Sequence, residues 1–265
     1  MSNKLPKITK SIYTLKAPSD GREVKYRALT VREEKILLIA QQASRDLVAK
    51  AEFEKVTPEE VMNSAKGQII ASAQVVGNCV IDDKYEALDM PAIDFEYLMV
   101  AIRSRGVGNT IEFKINGKDA EGNDTKKTAE VDVNLDEVKI VRDENHSNKI
   151  KISEDMTLIM RYSTMAHSIK RLEGASNPEA SAVVKFEIMR DCLESIVVGD
   201  NVYHFDDQTE EEVNEWVDDL DDEALQKINE FFNTSPFLRY EFPYADPETG
   251  EEKTLVVQGF ESFFI

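Results

Sequence analysis

The three histidines, His146, His167 and His204, are the residues of this chain best suited to bind a metal or transfer a proton. None lies in a spacing such as HExxH, in which two histidines one helical turn apart bind zinc. The sequence also lacks the GxSxG, GxxxxGK(S/T) and GxGxxG patterns of hydrolases and nucleotide-binding proteins. We therefore expect structural roles for the three histidines and no enzymatic activity.

An acidic segment in the first half is the second candidate site, because its oxygens could bind calcium. Asp119, Glu121, Asn123 and Glu130 fall at positions 1, 3, 5 and 12 of a calcium-loop register. Position 6, where that loop needs a glycine, is Asp124, and the flanking segments alternate as strands do. The pattern therefore favours a solvated hairpin tip, and no bound calcium is expected.

The two cysteines, Cys79 and Cys192, are too few for a disulfide scaffold. Each lies in an apolar segment with helical spacing, so we expect both to be small buried hydrophobic residues in a reducing compartment. Paired carboxylates are abundant in any acidic protein and identify no acid–base pair. The sequence thus predicts no cofactor.

Charge is the strongest signal in the composition. The 265 residues include 51 acids and 32 bases, for a formal net charge of −19. This balance disfavours binding to nucleic-acid phosphates and to anionic membranes. Within residues 206–223, 11 of 18 residues are acidic and none is basic. This segment, the acidic run, is interpreted as a solvated helix face, a docking surface for a basic partner, or a nucleic-acid mimic.

The hydrophobic pattern predicts the elements that hold these residues. In the first part of the chain it indicates a β-hairpin around 18–21 and a helix that begins at Thr30 and runs to about Lys55. A second long helix begins after Thr57, and a third helix and a hairpin over 111–135 follow.

The second part begins at a polar segment, 145–148, the candidate domain boundary. It shows a hairpin, a helix near Pro178, a strand pair around Gly199, an acidic helix with Thr209 as its N-cap, a further helix and a last hairpin. The order of elements therefore resembles that of the first part.

This recurrence predicts an internal duplication, although any two mixed segments can align by chance. The aligned pairs are Tyr26 with Tyr162, Cys79 with Cys192, and Glu112-Phe113 with Glu241-Phe242. The change of offset between the first two pairs predicts that the second half lacks one long helix. We therefore predict an α+β fold of two related modules of β-hairpins and amphipathic helices, each closed by a ribbon-like hairpin. Residues 1–144 form the first module (hairpin, two long helices, helix, hairpin), and residues 145–265 form the second, acidic module.

The end of the chain is the second candidate interface beside the acidic run. Three phenylalanines and one isoleucine occupy its last six positions. Burial supplies about 1.5–3 kcal/mol for each such side chain, so the segment is expected to close the core of its own module or to insert between subunits. The candidate interface residues are Phe260, Phe263, Phe264, Ile265, Trp216, Glu211 and Glu212.

Several short blocks, each unspecific by itself, occur in a characteristic order along nearly the whole chain. They include Ile12-Tyr13-Thr14-Leu15, Ile102-Arg103-Ser104-Arg105-Gly106, Glu211-Glu212-Val213, Pro236-Phe237-Leu238 and Gln258-Gly259-Phe260-Glu261-Ser262-Phe263-Phe264. In this order they resemble the baseplate hub protein family of T-even-type contractile-tailed bacteriophages. The chain has Arg27-Ala28-Leu29 where the family has Arg-Pro-Phe. It also lacks the cysteine pairs that some members carry in their hairpins, so the resemblance implies no zinc site.

The resemblance implies a structural or assembly component of the tail baseplate hub, present in the virion and assembled in the host cytoplasm. Its partners would be other baseplate or hub subunits, with no nucleic acid, membrane or small-molecule substrate. Two alternatives are an assembly chaperone absent from the finished particle and an acidic nucleic-acid mimic that inhibits a host DNA-binding protein. A mimic needs acids spaced along a rigid face, whereas these are concentrated in residues 206–223.

Overall fold

Helices and small antiparallel sheets alternate along the chain, which confirms the predicted α+β class. The computed structural model describes residues 8–51, 53–81, 86–106, 108–119, 121–175 and 177–258. Four sheets have the strand orders β1-β2, β3-β4, β11-β10-β5 and β6-β7-β8-β9, with all neighbours antiparallel.

The first part follows the predicted order of elements. Its bounds are β1 Ile12–Lys16, β2 Glu23–Arg27, α1 Val31–Ala51, α2 Pro58–Cys79, α3 Ala92–Gly106, β3 Thr110–Lys118, β4 Asp124–Asn134 and β5 Lys139–Val141. Short 3-10 helices precede α3 and follow β4. The α1 helix stops before the expected Lys55, since the amides of Phe53 and Glu54 both return to the Lys50 carbonyl in a closing turn. The predicted start of α2 is confirmed, because Thr57 forms a capping box with Glu60.

The second part contains one more helix than predicted. Its bounds are β6 Lys149–Lys151, β7 Met156–Met160, α4 Met165–Gly174, α5 Pro178–Asp191, β8 Leu193–Val198, β9 Asn201–His204, α6 Glu210–Asp218, α7 Asp222–Thr234, β10 Phe237–Ala245 and β11 Glu252–Gln258. The expectation that a long helix is missing here is wrong. Both helices of the pair are present but short, with 10 and 14 residues against 21 and 22 in α1 and α2.

Within the described residues, three apolar cores hold these elements together. The first lies between the β1–β2 hairpin, α2 and α3, and it includes Met165 of α4. The second lies between the four-stranded sheet and α5, α6 and α7. The third joins α3 and β4 to β10 and β11. The division at 144 and 145 stays a prediction, and two of the three cores take side chains from both sides of it.

Corresponding contacts favour the duplication, with a small change in its alignment. After α2, Val80 pairs with Tyr26, and after α5, Leu193 pairs with Met160 in the same antiparallel sense. Both Tyr26 and Met160 are buried. These contacts keep Cys79 aligned with Cys192 in the predicted duplication. Each cysteine directly precedes the residue that forms the contact, Val80 in the first half and Leu193 in the second. They place Met160, rather than Tyr162, at the position equivalent to Tyr26. Superposition of the two halves stays a prediction.

Candidate interaction surfaces

The start of α1 contains a buried ion pair. Glu33 is 1% exposed, and its carboxylate accepts hydrogen bonds from the Thr30 amide at 2.9 Å and from Arg27 Nη2 at 3.0 Å. Burial raises the pKa of Glu33, but the hydrogen bonds from Arg27 and Thr30 outweigh it and lower that pKa to about 2. Arg27 Nη1 also lies 3.4 Å from the sulfur of Cys79 at the end of α2. Glu33 is therefore an anion at neutral pH, and through Arg27 it links the start of α1 to β2 and to the end of α2.

The start of α4 brings together a cysteine, a histidine and an aspartate, the side chains of a possible nucleophilic site. His167 Nδ1 lies 4.0 Å from Cys192 Sγ, and His167 Nε2 lies 3.5 Å from Asp191 Oδ2. However, Nδ1 already accepts a hydrogen bond from the Thr164 amide at 3.1 Å. Burial also raises the pKa of the fully buried Cys192 thiol to about 12. Because a thiolate is the reactive form, this arrangement fits a helix start rather than catalysis. This arrangement could not be predicted from a local motif, since His167 lies 24 residues before the adjacent Asp191 and Cys192.

The other two histidines occupy different surroundings. His146 is half-buried, with its ring nitrogens 2.8 Å from the Tyr162 hydroxyl and 2.9 Å from Thr234 Oγ1. Its ring also stacks on Phe231, with the centroids 5.3 Å apart. His204 is exposed on β9.

The candidate calcium segment forms the tip of the β3–β4 hairpin. The Asp119 carboxylate accepts the amides of Glu121 at 3.0 Å and Asn123 at 2.8 Å, and Gly122 has a positive φ of 86°. The carboxylate thus organises a turn that only glycine closes without strain. Across the described residues, no group of three or more His, Cys, Asp or Glu side chains is arranged to hold a metal ion.

The acidic run covers a short 3-10 turn, α6 and the start of α7. All 11 of its acids are exposed, and in the described part of the chain only three form ion pairs: Asp206 with Arg161, Glu210 with Arg190, and Glu223 with Lys227. The other eight carboxylates leave a strongly negative surface.

The candidate interface residues of this run have unlike roles. Glu211 and Glu212 are both exposed. Only Glu212 has a capping role, because its carboxylate accepts a hydrogen bond from the Thr209 amide at 2.8 Å at the start of α6. Trp216 is half-buried against the second core and meets Phe205 edge-on, with ring centroids 5.1 Å apart. Phe260, Phe263, Phe264 and Ile265 lie outside the described residues.

Two further surfaces were not predicted from the sequence. The α1–α2 hairpin exposes apolar side chains near its tip, among them Phe53 at 86% and Val48 at 67%. A cleft of about 500 Å³ lies between the β1–β2 hairpin, α3 and the segment around β5, and it contains Lys16, Arg105 and Arg142. We call it the basic cleft. Its residues come from distant parts of the chain, so no local motif announces it.

Within the described residues, none of the helices has the length and apolar character that a membrane span requires.

The comparisons with known proteins connect these surfaces to a biological context. The searches of curated proteins and of solved structures found no match to the chain. A family model described as "T4 bacteriophage base plate protein" matches residues 10–265, which include all three cores and both charged surfaces. The chain therefore belongs to the family of T4 bacteriophage base plate proteins.

Proposed function

We propose that this baseplate protein is a structural component of the central hub of the tail, incorporated during assembly in the host cytoplasm. The observation that carries the proposal is the family match over residues 10–265. The ordered blocks that resemble hub proteins support the finer assignment. The partners would then be other baseplate or hub subunits.

A subunit of this kind works through interfaces, and we propose no reaction centre. In support, the buried Cys192 thiol is held in its unreactive form, and the described residues expose an apolar helical tip and two charged surfaces. Exposed apolar residues and segregated charge suit recognition between protein surfaces.

Mass spectrometry of purified particles, followed by controlled dissociation of the baseplate, tests this assignment. The expected result is a constant amount of the chain per particle that stays with the hub subassembly. A chain found in assembling intermediates but not in finished particles would instead indicate an assembly chaperone. A chain that separates with the peripheral part of the baseplate would contradict the hub assignment.

The candidate interface at Phe260, Phe263, Phe264 and Ile265 remains part of the proposal. A truncation after Gln258 is expected to lower either the melting temperature of the isolated protein or its incorporation into baseplates. Early melting would assign the segment to the protein's own core, and normal melting with poor incorporation would assign it to an interface. If neither property changes, the segment has no such role.

A further inference from the structure

The basic cleft has a composition unlike the rest of this acidic protein. The cations Lys16, Arg105 and Arg142 line it, and in the described part of the chain none of them forms an ion pair. The one acid in its lining is Asp136, which accepts hydrogen bonds from Ser104 Oγ and Asn109 Nδ2, both at 3.0 Å. The cleft therefore retains a net positive charge in a chain whose formal net charge is −19.

Aromatic rings accompany these cations. The lining includes Tyr26 and Tyr97, and the guanidinium carbon of Arg105 lies 5.6 Å from the centroid of the Tyr13 ring. Tyrosine and arginine are enriched at the energetic centres of protein interfaces, where apolar contact and charge-assisted hydrogen bonds combine. A partner that fits the cleft would present several exposed carboxylates on an ordered surface.

The chain itself carries such a surface. The acidic run presents eight carboxylates without an ion pair in the described residues, and four of them lie on α6, whose start is fixed by the Thr209–Glu212 capping box. Glu211 and Glu215 lie one turn apart on α6, and both are exposed. We propose that the basic cleft of one copy binds the acidic run of a second copy, head to tail.

Such a contact joins two different surfaces, so each pair leaves one cleft and one acidic run unoccupied. Contacts of this type extend to a closed ring when the rotation between copies closes, and otherwise to a chain. The proposal concerns self-association and does not depend on the hub assignment, so the two can fail separately.

The association of two copies should depend on salt concentration in a distinctive way. Two copies with a net charge of −19 repel each other, and this repulsion reaches about 30 Å at 0.01 M salt. Near 0.1 M salt the screening length is about 10 Å, so the overall repulsion weakens while contacts within the cleft persist. At about 1 M salt the contacts are screened as well. Association should therefore be strongest at intermediate salt.

Sedimentation velocity of the full chain at increasing concentration tests the proposal with two charge-reversed variants. One is Lys16→Glu with Arg142→Glu, which reverses the cleft but leaves Arg105 in place. The other is Glu211→Lys with Glu215→Lys, which reverses the acidic run. Lys25→Glu with Arg45→Glu is the matched control for the cleft variant, because it makes the same change in net charge at exposed positions outside the cleft.

The expected result is that the association constant of each reversed variant falls at least tenfold, while the control variant associates like the wild-type chain. An equimolar mixture of the two reversed variants should recover association, because each reversed surface then meets an opposite one. This recovery also shows that the variants are folded. A wild-type chain that stays monomeric at every salt concentration would overturn the proposal. The proposal would also be overturned if the reversed variants associated as strongly as the wild-type chain, or if the mixture of the two failed to associate.

Discussion

The starts of α1 and α4 hold equivalent positions in the predicted duplication, yet different side chains stabilise them. At α1, the third helical residue is Glu33, a buried anion paired with Arg27. At α4, the third helical residue is His167, a buried imidazole whose Nδ1 accepts the Thr164 amide. Both side chains lie near a buried cysteine at the C-terminus of the second helix of the pair: Cys79 is the last residue of α2, and Cys192 directly follows α5.

The difference shows that one backbone task, satisfaction of the free amides at a helix start, has two electrostatic solutions. Glu33 keeps its charge because its pKa is about 2 against an ordinary value of 4.5, so its stabilisation is complete above pH 4.5 and is lost as the pH falls through 2. Burial lowers the pKa of His167, so folding favours its neutral form. The two halves should therefore respond to different ranges of pH.

Removal of the buried anion should have the largest effect. We expect Glu33→Ala to lower the free energy of unfolding by about 3–5 kcal/mol, because it leaves Arg27 without its buried partner. Chemical denaturation at pH 7 measures this. Glu212→Ala is the matched control, because Glu212 has the same capping position but is exposed and has no ion-pair partner in the described residues, so its loss should cost much less. Equal effects of the two substitutions would show that the ion pair adds nothing to the cap.

Substitution of Met160, the residue that the revised alignment places opposite Tyr26, should have the next largest effect on stability. Met160 is 1% exposed and pairs with Leu193 as Tyr26 pairs with Val80. We expect Met160→Ala to cost about 2–5 kcal/mol through the cavity it leaves. Tyr162→Phe, which removes only a hydrogen bond to His146, should cost about 1 kcal/mol. If Tyr162→Phe proves the more destabilising in the same denaturation experiment, Met160 does not have the larger role in the core that its burial predicts.

How far the sequence could predict this structure depends on whether a signal was local. The capping box at Thr57 fixed the start of α2 correctly, because all of its parts lie within four residues. The α4 helix was missed because its third position holds His167 instead of the usual glutamate or glutamine. The basic cleft escaped prediction because Lys16, Arg105 and Arg142 meet only after folding. Local hydrogen-bond patterns were therefore predictable, and convergent side chains were not.

The pH response of His167 should be smaller. An unfolded chain binds a proton at this residue near its ordinary pKa of 6.5, whereas the folded chain resists protonation. Stability should therefore fall as the pH drops below 6.5 and level off below the folded pKa, by about 1.4 kcal/mol for each unit of difference. The facing charges oppose one another, since Asp191 raises this pKa while Lys170 and Arg171 lower it.

Unfolding free energies of the wild type and His167→Gln, measured from pH 7.5 to pH 5, isolate this contribution. The decline should be shallower in His167→Gln. His146→Gln serves as the control, because His146 also has a lowered pKa, caused first by burial, but lies in the second core's aromatic group instead of at the α4 start. If His167→Gln keeps the full wild-type decline, the histidine start of α4 is no more sensitive to acid than the glutamate start of α1.

The two cysteines should differ least, although their neighbours are so unlike. Burial raises the pKa of Cys79 to about 11, although the neighbouring Arg27 guanidinium opposes this shift. Burial likewise raises the pKa of Cys192 to about 12. Since only a thiolate reacts rapidly, a maleimide should label neither cysteine in the folded protein at pH 7, and both should react at the same rate once denaturant unfolds the chain. Faster labelling of Cys79 than of Cys192 under native conditions would show that the α1 start opens locally, and that its ion pair closes the site less firmly than the neutral histidine closes its counterpart.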